Sequence, residues 1–176
     1  MMEQIFLALP MAVVVIGAFV LMSLSHAAKM KLANMNLVAL FFLGVSFVLS
    51  YLSLENESSF LFEDVFGDSF ILDNFANIFD LMFTAGAILT LLVNNDYFKK
   101  RDYFNGEYFA IILFSVFGMM TLSHAHELVT AFIALEIASL SVYALVGYHK
   151  NKLSSAEAMM KYMVLGAMSG ALFMLG

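Results

Sequence analysis

Six long apolar runs, separated by short polar stretches, set the plan of this chain. They cover 4–24, 32–54, 75–93, 108–122, 128–146 and 155–176. None alternates polar and apolar residues with a period of two, so they predict helices rather than the strands of a barrel. At 1.5 Å of rise per residue, about twenty residues cross the ~30 Å hydrocarbon core of a bilayer. The fourth run is short and should bring Tyr108 or Ser123 to the interface. The expected fold class is all-α: a polytopic transmembrane helix bundle of about six helices.

Composition strengthens that reading. Of 176 residues, 62% are hydrophobic and 12% are charged. A soluble domain carries about 25% charged residues. The first run follows Glu3 rather than Lys or Arg and is too long for a signal peptide, so it should remain as a helix. The expected partner is the lipid bilayer. No basic cluster exists beyond Lys99-Lys100-Arg101, so no nucleic acid is expected. With no cysteine, the chain can hold neither a disulfide nor a cysteine-ligated iron–sulfur centre. Its four histidines (His26, His124, His126, His149) lie at or near run ends, with no pair inside one run, so no haem is expected.

Charge alternates along the loops. Lys29 and Lys31 follow the first run, Lys99, Lys100 and Arg101 the third, and Lys150 and Lys152 the fifth. The second loop holds Glu55, Glu57, Glu63, Asp64, Asp68 and Asp73 and no base, and the fourth, 123–127, holds no base either. The positive-inside rule then puts loops 25–31, 94–107 and 147–154 in the cytoplasm and the N-terminus outside. Within the acidic loop, Phe60-Leu61-Phe62 and Val65-Phe66 should pack on the outer membrane surface, with a partner-binding surface as the alternative. The last run ends on 171–176 without a polar tail, which is the expectation for a fragment of a longer protein.

The chemistry concentrates in the last third. Lys161 is the one base left inside a run, and Glu157 stands one turn before it. Acid-first i, i+4 spacing suits a helical ion pair. Such a pair could simply lower the cost of burying a lysine, or it could move charge, since a desolvated lysine titrates near neutral pH. Ser154 with Glu157 three positions later reads as a capping box at the helix start. Glu136 lies mid-run, with Ser139 and Tyr143 at i+3 and i+7, so one polar face should turn into the protein. A structural hydrogen bond or a functional role both fit it, and an intramembrane carboxylate is by default a functional hypothesis. Helix spacing would put the Glu136 and Lys161 backbones about 10–12 Å apart, a gap that side chains and a water could bridge. Asp73 suits a helix N-terminus. Asp80, about five residues into the third helix, fits that reading or a functional one equally. His124 and His126 are expected as interface residues rather than metal ligands.

Leu135-Glu136-Ile137-Ala138-Ser139-Leu140-Ser141-Val142-Tyr143-Ala144-Leu145, followed by Ser155-Ala156-Glu157-Ala158-Met159-Met160-Lys161-Tyr162 and Gly166-Ala167-Met168-Ser169-Gly170, resembles the antiporter-like N subunits of respiratory complex I. Gly106-Glu107-Tyr108 and Gly118-Met119 are similar to that family too. The resemblance is strong over 106–176 and loose over the whole chain. It implies three leading helices in 1–105, with the acidic loop at 55–74, and the first three helices of a truncated antiporter-like repeat in 106–176. It also implies a membrane-arm subunit of a proton-pumping NADH:quinone oxidoreductase in the bacterial inner membrane, beside other membrane-arm subunits, with Glu136, Lys161 and Glu157 on the proton path. No flavin, iron–sulfur centre or quinone site is implied in this chain, and a fragment of this length should be inactive alone. An Mrp-type sodium/proton antiporter subunit and a non-catalytic truncated scaffold are the alternatives.

Overall fold

The computed structural model describes residues 2–27, 31–54, 60–61, 69–93, 97 and 104–176. Six helices result: α1 (Met2–Ala27), α2 (Leu32–Ser53), α3 (Asn74–Val93), α4 (Gly106–Ser123), α5 (Leu128–Val146) and α6 (Leu153–Leu175). Each is long and apolar enough to cross a membrane. The chain is an all-α multi-pass membrane protein, and its fourth helix, at 18 residues, is longer than its apolar run suggested. Two short strands, β1 (Phe60–Leu61) and β2 (Ile71–Leu72), pair antiparallel in the second loop. The intervening acids lie outside the described residues, as do Lys29, Lys99, Lys100 and Arg101.

Buried positions recur every three or four residues, which puts them on single helix faces. On α1 these are Val14, Ala18 and Leu21, and on α4 Phe109, Leu113, Val116 and Met120. The buried stripe of α2 runs Met35, Asn36, Ala39, Leu43, Ser46, Ser50, Ser53, and that of α3 runs Ala76, Asn77, Asp80, Thr84, Ala87, Leu91. Both stripes are more polar toward the second loop. α4 packs on α1, α2, α3 and α5 and is the centre of the bundle, whereas α6 rests on α5. Pro10 does not break α1, and the Ser46 hydroxyl donates to its carbonyl at 3.0 Å, tying α2 to α1.

Gly118 sets the α4–α5 crossing. A Cβ there would lie 2.5 Å from the Ala138 nitrogen and 2.9 Å from its Cα, so the two backbones meet through the missing side chain. The same small residues, read from sequence only as a resemblance, thus carry the packing.

The loops sort onto two ends. Ile71 N–H donates to the His124 carbonyl and His126 N–H to the Ser69 carbonyl, each at 2.9 Å, so the second and fourth loops form one end. Asn105 N–H donates to the Tyr148 hydroxyl at 3.3 Å, and Gly106 lies against Met35 and Ser25, so the first, third and fifth loops form the other. Phe104, Tyr108 and Tyr148 cluster at this second end, with centroids 4.7–6.1 Å apart, as aromatic residues do at interfaces. The described loop bases Lys31, Lys150 and Lys152 belong to it.

Asp73 holds the start of α3, its carboxylate accepting from Ala76 N–H at 2.8 Å. The capping box expected at Ser154 and Glu157 does not form. α6 starts earlier, at Leu153, with Lys152 as an N-cap that makes no side-chain bond. Ser155 instead donates across the loop to the Val146 carbonyl at 2.6 Å, and Glu157 turns to Lys161.

Candidate functional site on helices α5 and α6

Glu136 sits half-buried near the middle of α5. Its carboxylate faces α6 at Gly170, where an added Cβ would come within 3.0 Å of Oε1. Glycine therefore lets the carboxylate approach the α6 backbone. One and two turns along α5, Ser139 donates to its own Leu135 carbonyl and the Tyr143 hydroxyl lies against Gly166. Phe132 stacks on Phe173 at 6.5 Å beyond Glu136. Glu136 and Tyr143 thus face the α5–α6 seam, as the polar stripe suggested, while the Ser139 hydroxyl closes on its own helix.

Lys161 and Glu157 form an ion pair, Nζ to Oε1 at 2.6 Å. Their side chains are 69% and 66% exposed, on the face of α6 turned away from α5. In a bilayer that face meets lipid or protein rather than water. A lone charge at a helix centre costs about 2.5–3.5 kcal/mol on insertion scales, so each partner relieves the other. The structure does not bring Glu136 and Lys161 together. Gly170 and Lys161 are separated by nine residues, about 13 Å along the axis, and lie on different faces of the helix. The separation of about 10–12 Å expected from loop length is not met, because Glu136 lies level with Gly170 and Lys161 also points to another face of α6.

A second polar cluster lies where the residue pattern offers only weak hints. Asp80 and His124 are both fully buried, with Asp80 Oδ1 3.7 Å from His124 Nδ1. His124 is therefore no interface residue: it is the C-cap of α4, enclosed by the β2 strand that pairs over it. Burial pulls the proton affinity of its imidazole below the ordinary histidine value, while the Met120 carbonyl and Asp73 act in the opposite sense. His126 stays exposed, as expected for an interface position. The signal that could have found the cluster is the spacing Asn77, Asp80, Thr84, three polar residues on one stripe of an apolar helix. Among the described residues no group of three His, Asp or Glu could hold a metal.

Comparison with known proteins gives this fold a family. Residues 125–176, which contain Glu136, Glu157 and Lys161, match the model described as NADH:quinone oxidoreductase/Mrp antiporter, transmembrane. Over these residues the chain is similar to that family of membrane subunits. Within it the similarity is to subunit N. NADH-quinone oxidoreductase subunit N of Ruthia magnifica subsp. Calyptogena magnifica is 38% identical over 112 residues, 64% of this chain and 23% of that protein. The subunit N of Dehalococcoides mccartyi is 31% identical over 176 residues, all of this chain and 34% of that protein. A chain from the structure of respiratory complex I from Thermus thermophilus with bound aureothin has the same fold, with a TM-score of 0.76 at 23% identity, covering 94% of this chain and 35% of that one. The chain spans about a quarter to a third of the length of these relatives.

Proposed function

We propose that the chain forms part of the membrane arm of a proton-pumping NADH:quinone oxidoreductase in the bacterial inner membrane. It works beside other membrane-arm subunits and carries a section of a proton path through Glu136 and the Glu157–Lys161 pair. The loops with every base face the cytoplasm in this reading, by the positive-inside rule. The observation that carries it is the mid-span carboxylate of Glu136, without an ion-pair partner among the described residues and set against the glycine backbone of α6. A carboxylate in the middle of an apolar span is a functional candidate by its placement alone. Lys161, paired with Glu157, is the one base placed inside an apolar run. The chain itself needs no redox group for this work.

Glu136→Gln removes the charge at nearly constant volume. In the subunit assembled in its complex it should lower coupled quinone reduction at least tenfold while leaving assembly unchanged. Glu136→Asp, which keeps the carboxylate on a shorter stem, should retain more. Undiminished coupling in Glu136→Gln would reduce this residue to a packing role. An Mrp-type antiporter subunit is the second reading, favoured by the family match. It predicts sodium/proton exchange without an added electron donor.

A further inference from the structure

The end of the bundle that carries the second and fourth loops buries a titratable pair that the α5–α6 seam does not use. Asp80 comes from α3 and His124 from the end of α4, and neither reaches the surface. Ser123 Oγ stands beside both, 3.3 Å from Asp80 Oδ1 and 3.4 Å from His124 Nδ1. His124 Nδ1 is 2.9 Å from the Met120 carbonyl, which can only accept, so Nδ1 carries a hydrogen and donates there. Two atoms of the pair have no hydrogen-bond partner among the described residues: Asp80 Oδ2 and His124 Nε2. These are the two atoms that can each take a proton without breaking an existing bond.

The surroundings fix how many protons the pair holds. A bare carboxylate so deeply buried is costly, and so is a bare imidazolium, whereas a neutral pair avoids both penalties. Neutrality is reached with one added proton, on Oδ2 or on Nε2. Among the described neighbours Asp73 carries a charge that favours a proton on His124, although its carboxylate is also held by the Ala76 N–H. Beyond α4, His126 is exposed and Glu127 accepts from the Ser69 hydroxyl at 3.1 Å. α2 brings only Ser46, Ser50 and Ser53 to its buried side at this end, its Tyr51 being exposed, and α1 adds no described titratable side chain here. Ile71 of β2 and the preceding Ser69, bonded through their backbones to His124 and His126, cover the pair from the loop side.

We propose that Asp80 and His124 are a proton-binding site that holds one proton between them, near the membrane surface marked by the acidic second loop. The site stands independently of the reading of Glu136 and Lys161. Its ligand is the proton, held on Asp80 Oδ2 in one form and on His124 Nε2 in the other. Moving between the forms breaks one O–H bond, makes one N–H bond, and leaves the net charge of the site unchanged.

The test is titration of the membrane-embedded wild-type protein, following two atoms. Nitrogen-15 NMR of the imidazole, assigned with His124→Gln, reports His124. The infrared carboxyl stretch, assigned with Asp80→Asn, reports Asp80. One shared proton makes both probes show the same two midpoints, because the steps belong to the pair. Each variant should then move its partner's midpoint by about one pH unit or more, and Asp80→Asn should move that of His124 downward. Two single, unrelated midpoints in the wild type overturn the proposal. The wild-type result decides if a variant fails to accumulate.

Discussion

Helices α1–α4 and the α5–α6 pair are built on opposite principles. Half of the α4 span is buried, and about a third of α1 and α3, against 6% for α5 and for α6. The first four helices close on an apolar core from Val14 to Met120, and their polar residues are turned inward and sealed. The last two touch the bundle chiefly through α5 on α4, and their charges are set in a seam or on an outer face. The Glu136 carboxylate lies in a seam at the edge of the bundle, whereas Asp80 and His124 are enclosed within it, and Gly118 joins the two halves.

Breaking that joint should have the largest effect. Gly118→Val would drive a branched side chain into the Ala138 backbone, which cannot yield as a flexible side chain could. Overpacking of this kind costs roughly 1–3 kcal/mol or more. The assembled protein should fall severalfold in membranes and α5 should become accessible to proteases, while Gly118→Ala should be the milder change. Normal levels of Gly118→Val would mean that α5 is not held by this crossing.

Acid should loosen the sealed half at one end. Burial makes a second proton on the Asp80–His124 pair costly, so the unfolded chain takes it up more readily than the fold does. Stability is therefore lost as the pH falls into the ordinary carboxylate range. Hydrogen exchange at the Ile71 and His126 amides, which bond across the two loops, should speed up on acidification, and exchange within α5 should not. A pH-independent rate at both amides would contradict the assignment.

The smallest effect should come from Ser46→Ala. It removes one bond to the Pro10 carbonyl inside a well-packed interface, worth about 1 kcal/mol. Thermal unfolding of the purified protein should shift by a few degrees, with coupled activity retained. A loss of activity without a loss of stability would move function into the sealed half.

Much of this division can be read from the sequence. The six spans follow from apolar length, their grouping at two ends from loop charge, and the Glu157–Lys161 pair from i, i+4 spacing. These are local signals, set by rise per residue and by neighbours on one helix face. The Asp80–His124 pair is different. Its members are 44 positions apart (124 less 80), and only the meeting of α3 with α4 under β2 joins them. Loop length fixed neither the depth of Glu136 relative to Lys161 nor the rotation of α6, and the carboxylate meets Gly170, nine residues further along the helix. The capping-box pattern at Ser154 misled for a related reason, since Glu157 had a stronger partner one turn on.

The central claim is that α5 and α6 carry two separate stations, Glu136 at the seam and Glu157–Lys161 on the outer face. A double-mutant cycle on proton transport by the assembled protein tests it most directly. Glu136→Gln and Lys161→Met should add, within about 0.3–0.5 kcal/mol in transport free energy, because the residues share no contact. Glu157→Gln and Lys161→Met should couple by about 0.5–3 kcal/mol, because either change alone strands the other charge. Strong coupling of Glu136 to Lys161, with none between Glu157 and Lys161, would contradict the account.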